Sequence, residues 1–203
     1  MKALVIIDVQ NDFIPGGSLA VREGDQIVPL INKLQDHFDL VIVTQDWHPK
    51  NHVSFASNHS GKSEFETIDL NGINQVLWPV HCVQNSHGAQ FHSDLKTDKI
   101  EAIFRKGTNP KIDSYSGFYD NAHLKSTGLA GYLKEKGVRE LYFCGLAAEY
   151  CVFFSIKDAL AEKFNAYLIE DATRALDGNA FEKAKQEILE KGGSIVPSES
   201  ILK

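Results

Sequence analysis

The chain has no run of basic residues: its 21 lysines and arginines are outnumbered by 27 aspartates and glutamates, giving a formal net charge of −6. Without a basic run there is nothing to release counterions from a nucleic-acid backbone or to hold an anionic membrane surface, so the expected partner is a small molecule. Long apolar stretches are missing too. The opening MKALVIIDVQ is broken by Asp8 too early for a secretory core segment, and no run reaches the length of a bilayer span. A cytoplasmic location is expected. Cysteine is scarce and odd in number, with only Cys82, Cys144 and Cys151, which argues against a disulfide framework and for free thiols. No repeat, linker or shift in composition divides the chain. With 203 residues and 43% hydrophobic content, a single domain over residues 1–203 with a sizeable core is expected. A monomer and a homo-oligomer are equally compatible with the sequence.

What is present alternates between short apolar runs and amphipathic stretches. Lys2 to Val9, Leu40 to Thr44, Ile100 to Phe104, Glu140 to Cys144, Ala166 to Glu170 and Ser194 to Val196 read as buried strands. Between them, Gly24 to Phe38, Ser126 to Lys136, Glu149 to Lys163 and Ala180 to Lys191 carry apolar residues at helical spacing. Such alternation predicts an α/β fold of three layers, α/β/α, around a six-stranded parallel sheet. Residues 49–97 show little periodicity and much His, Asn, Ser and Gly, and so long an irregular stretch reads as functional.

Ligands of open parallel sheets bind beyond the carboxyl ends of the strands. That rim receives Asp8 after the first strand, Asp46 and His48 after the second, Lys106 after the third and Cys151 after the fourth. Cys151 falls in the first turn of an expected helix, where unpaired N–H groups and the helix dipole favour an anion such as a thiolate. A thiol requires a base in order to attack, and Asp8 serves if a poor solvent environment raises its pKa; Lys106 would stabilise the thiolate. Each residue taken singly also has an ordinary structural reading, as a turn cap, a solvated lysine or a small buried side chain. A second constellation consists of Asp46, His48, His52, His59 and His81. A carboxylate with imidazoles suits zinc, iron or manganese, held by three protein ligands with open positions for water or substrate.

Several stretches carry a resemblance: ALVIIDVQNDF with PGGSLAV, TQDWHPKNHVSFA, WPVHCVQNSHGAQFH, KGTNPKIDSYSGF and GLAAEYCV. In these the chain is similar to the nicotinamidases among the isochorismatase-like cysteine hydrolases. The resemblance implies Asp8, Lys106 and Cys151 as catalytic triad and one divalent metal, zinc foremost, on Asp46, His48 and His81, with His52 as a further ligand in some members. It implies an oxyanion hole made by the N–H groups of Ala147 and Cys151 after a cis peptide, and substrate walls at Phe13, Trp78 and Tyr115. It also implies a strand order of 3-2-1-4-5-6, which puts one strand between those leading to Asp8 and Lys106, so that the lysine has to reach inward from its loop. The expected reaction is hydrolysis of nicotinamide to nicotinate and ammonia through a cysteine thioester, in NAD salvage, with pyrazinamide as a further substrate. Alternatives are another small amide within the family, or a metal-hydroxide hydrolase in which Cys151 is structural. The family's Gly-Leu-Ala-Thr-Asp-Tyr-Cys is here Gly145-Leu146-Ala147-Ala148-Glu149-Tyr150-Cys151, so two positions depart from it.

Overall fold

The computed structural model describes residues 1–70 and 72–203. Its main sheet comprises β1 (Lys2–Ile7), β2 (Leu40–Asp46), β5 (Ile100–Lys106), β6 (Glu140–Gly145), β7 (Asn165–Thr173) and β8 (Ser194–Val196), while β3 (Thr67–Leu70) and β4 (Ile73–Val76) form a separate antiparallel hairpin. The six strands are all parallel and lie in the order β5-β2-β1-β6-β7-β8. Counted within the sheet alone, that is the 3-2-1-4-5-6 arrangement implied by the resemblance.

The central strands are apolar on both faces because both faces are covered. In β1, Leu4 and Ile6 enter one core with Val28, Ile31 and Leu34 of α1 (Val28–Leu34). Ala3, Val5 and Ile7 enter the other, against α2 (Leu129–Glu135), α3 (Phe153–Ala161) and α4 (Gly178–Glu190). Each such side chain contributes roughly 1.5 to 3 kcal/mol by leaving water. Register then fixes the rim: Ile6 lies beside Val43 and Cys144, and Ile7 beside Gly145, so β1, β2 and β6 deliver their following residues to one edge. At Gly145, φ is +109° and a Cβ would stand 2.0 Å from the Ile7 carbonyl oxygen, so the approach of β6 to β1 at the rim depends on glycine.

Four expectations are corrected. The stretch 49–97 is not wholly irregular, since it contains the β3–β4 hairpin; strands of four residues, half exposed, lack the apolar run that marks a buried strand. The helix expected from Glu149 opens as a π-helical turn, Ala148–Val152, before α3 begins. The helix expected over Gly24 to Phe38 is a short α1 between two 3-10 turns, Gly24–Ile27 and Gln35–His37. Finally, Lys106 does not reach from a loop, because it is the last residue of β5 and pairs in register with Asp46. Among the described residues no helix is long and apolar enough to cross a membrane.

Candidate active site

The carboxyl ends of β1, β2 and β5 bring three buried charges together. Lys106, 2% exposed, extends from β5 across β2 toward β1. Its Nζ lies 2.8 Å from Asp8 Oδ2 and donates to Asp46 Oδ1 at 2.5 Å and to the Ser114 carbonyl at 3.1 Å. It also stands 3.3 Å from Cys151 Sγ. Asp8 has a positive φ of 46°, uncommon for a residue other than glycine, which turns the chain off the strand. Its Oδ1 accepts from Thr44 Oγ1 at 2.7 Å, whereas Oδ2, fully buried, accepts no hydrogen bond of good geometry beyond its ion contact with the lysine. Oδ2 is therefore the oxygen left to receive a proton. Carboxylate oxygens of Asp8 and Asp46 and the Cys151 sulfur all lie within 4.8 Å of one another.

The electrostatics follow from burial. Burial raises the Asp8 carboxyl above the ordinary aspartate range, and the Lys106 ammonium only partly offsets this. Burial likewise raises the Cys151 thiol well above its usual value against the pull of Lys106. Lys106 itself would lose its proton more easily through burial, but Asp46 and Asp8 outweigh that and hold it cationic. The resting site thus has a thiol beside a proton acceptor of raised basicity, with a fixed cation against both.

Asp46 is pinned by Gln10, whose Oε1 accepts from the Asp46 amide at 2.8 Å while its Nε2 donates to the Asp46 carbonyl at 2.9 Å. The free oxygen Asp46 Oδ2 faces His48 Nε2 at 3.5 Å and His81 Nε2 at 3.9 Å. In both rings Nδ1 stands at a backbone carbonyl, of Gly107 at 2.9 Å and of Pro79 at 2.8 Å; a carbonyl only accepts, so Nδ1 carries the hydrogen and the Nε2 lone pair is free. His81 is kept neutral by burial and by the neighbouring His48, its pKa lowered to about 4. A buried carboxylate and two preoriented imidazole nitrogens, mutually within 4.8 Å, fit a divalent ion. His52 is adjacent, its ring 4.2 Å from that of His48, but groups with His48 and Asp113 and not with the Asp46–His81 pair. Its Nδ1 is 2.7 Å from Ser54 Oγ, and its buried Nε2 has no partner. His59 is occupied with the Val53 carbonyl at 2.6 Å.

A partly enclosed cavity opens on Cys151. Phe13, Trp78 and Tyr115 line it together with Asp46, His81, Ala147 and Cys151. The Trp78 and Tyr115 rings stand nearly perpendicular, 6.2 Å apart. The Leu146–Ala147 peptide is cis, as the resemblance implies. Cys82 and Cys144 are buried elsewhere and take no part.

Sequence reasoning missed Thr44, Gln10, Asp113, Tyr150 and Leu176. Gln10 had a signal in its place two residues after Asp8. Tyr150 and Leu176 line the cavity, and Asp113, which accepts from Gln75 Nε2 at 2.9 Å, depends on the unforeseen hairpin.

Comparison with known proteins gives a consistent picture. A family model described as an isochorismatase domain matches residues 2–200. The nicotinamidase of Acinetobacter baylyi is 49% identical over 201 residues, spanning 98% of this chain and 94% of the relative. A solved nicotinamidase/pyrazinamidase of Acinetobacter baumanii has a TM-score of 0.96 and 47% identity, covering 98% of this chain and 97% of its own. The pyrazinamidase of Pyrococcus horikoshii, solved in complex with zinc, has a TM-score of 0.79 and 38% identity, over 97% and 98% of the two chains. Matches that run nearly end to end, on a sheet with the strand order implied by the sequence, make this chain a member of the isochorismatase domain family.

Proposed function

We propose that the chain hydrolyses nicotinamide to nicotinate and ammonia through a thioester on Cys151, and takes pyrazinamide at the same site. The observation that carries this reading is the contact of one buried ammonium, Lys106 Nζ, with both Asp8 Oδ2 at 2.8 Å and Cys151 Sγ at 3.3 Å. Such an arrangement suits proton transfer from a thiol to a carboxylate while the resulting thiolate stays compensated. The substrate ring sits between Phe13, Trp78 and Tyr115, with its nitrogen toward Asp46, His48 and His81 and its carboxamide at Cys151. Asp8 Oδ2 takes the thiol proton, and Sγ attacks the carboxamide carbon. The N–H groups of Ala147 and Cys151 hold the oxyanion, and Asp8 returns the proton to departing ammonia. A water deprotonated by Asp8 then hydrolyses the nicotinoyl thioester. Asp46, His48 and His81 would hold the metal, zinc in our reading, which when bound supplies a Lewis-acidic anchor for the ring nitrogen. The reaction belongs to cytoplasmic salvage of nicotinamide toward NAD.

An ammonia-release assay tests the reading. The purified protein should release ammonia and nicotinate from nicotinamide in equal amounts, and iodoacetamide should abolish release as it alkylates Cys151. Full turnover after complete alkylation would assign the attack to metal-bound hydroxide and make the cysteine structural.

A further inference from the structure

Glu149 is a buried carboxylate that the mechanism above does not use. It lies two residues before Cys151 in the π-helical turn, is 6% exposed, and has no cation among the groups that act on it. What it faces instead is backbone. Its Oε1 accepts from the Asp177 amide at 2.7 Å, while Oε2 is buried without a partner. A carboxylate left without a counter-ion in the interior is costly, and backbone donors compensate for only part of the loss.

The segment gathered by this carboxylate forms one wall of the cavity. Leu176 lines the pocket together with Phe13 and Trp78, coming from the loop after β7. That loop is tied to the nucleophile turn twice: the Ala148 amide donates to the Arg174 carbonyl at 2.8 Å, and Glu149 accepts from the far end. Asp177 next caps α4, its Oδ1 accepting from the Asn179 amide at 2.8 Å and the Ala180 amide at 3.3 Å. The loop is thus anchored to α4 on one side and to the turn carrying Cys151 on the other. Leu176 sits between those anchors with no polar tie through its own side chain.

We propose that Glu149 is a positioning residue for substrate specificity: by holding the Asp177 amide it sets the adjacent Leu176 against the substrate ring, so that it acts on ring binding and not on the reactivity of Cys151. This rests on the reading of the cavity as the pocket of an aromatic amide.

The test joins kinetics with hydrogen exchange. Glu149→Ala should raise KM for nicotinamide about tenfold, the effect expected from losing a charge-assisted hydrogen bond, with kcat held within about twofold. Leu176→Ala should raise KM similarly, and the double variant should be no worse than the poorer single one, because both remove one wall. Glu149→Gln, which keeps an acceptor for the Asp177 amide, should recover part of the loss. Independently of any substrate, the Asp177 amide should exchange about tenfold faster in Glu149→Ala, with those of Val152 and Phe153 unchanged. Unchanged exchange at Asp177, additive KM effects, or a fall in kcat at constant KM would each overturn the proposal. Absence of ammonia release from the unsubstituted protein would instead remove the nicotinamide reading, and the exchange result would still decide whether Glu149 holds the loop.

Discussion

Cys151→Ala should lower kcat for ammonia release from nicotinamide by about ten-thousand-fold or more, since a nucleophile removed from a covalent mechanism takes with it nearly all the rate that its partners help to supply. The protein should remain folded. Cys151 is 7% exposed beside Val152 and Phe153 in the second core, and truncation of one small side chain there costs about 1 kcal/mol. Lys106 retains Asp8, Asp46 and the Ser114 carbonyl, so the buried charges stay paired. The residues proposed to hold the metal, Asp46, His48 and His81, lie on β2 and in the loops after it, so metal content should be unaltered. Steady-state kinetics, a thermal melt and elemental analysis of the same preparation check all three statements. Ammonia release near the unsubstituted rate would remove the thioester scheme.

His48→Ala should act differently, by loss of metal and a rise in KM of about tenfold or more, with a smaller change in kcat. His48 is 1% exposed, and its Nε2 faces Asp46 Oδ2 while its Nδ1 donates to the Gly107 carbonyl. Its place is shaped for an imidazole: Gly107 has φ +62°, and a Cβ on it would lie 2.3 Å from the His48 ring. Truncation leaves the Gly107 carbonyl without its donor, at roughly 1 to 3 kcal/mol of stability. Removal of one of three ligands should also lower metal affinity by at least the ten- to hundredfold typical of losing a mere outer partner. Cys151, Asp8 and Lys106 remain in contact without His48, which is why the effect should concentrate in KM. A chelator on the unsubstituted protein should reproduce this pattern, and retained metal with a collapsed kcat would contradict the assignment of His48.

Much of this was legible in the sequence for identifiable reasons. LVIVT and LYFC are continuous apolar runs, and in an alternating chain such runs can only be strands covered on both faces, which places the residues after them on one rim. Asp8, Asp46 and Lys106 were accessible to that reasoning because each ends a strand or directly follows one, and Cys151 because it falls in the helical turn just beyond β6. The long-range geometry was not. Nothing local to Lys106 reveals that its side chain crosses β2 to meet Asp8, since that depends on register between β2 and β5. The β3–β4 hairpin was missed because its strands are short and half exposed, and with it went Gln75 and its hold on Asp113. His52 illustrates a different limit: spacing put it among the candidate ligands, and only the fold shows its Nδ1 at Ser54 Oγ and its ring grouped with His48 and Asp113. Glu149 looked like a conservative departure from a family pattern, and only the fold shows its carboxylate accepting from the Asp177 amide, 28 residues away.

The most direct measurement is mass spectrometry of the protein quenched in acid during turnover of nicotinamide. The account predicts one nicotinoyl group on the peptide containing Cys151, labile to hydroxylamine and absent from Cys151→Ala. Steady turnover without any acylated Cys151 under conditions that preserve thioesters would contradict it.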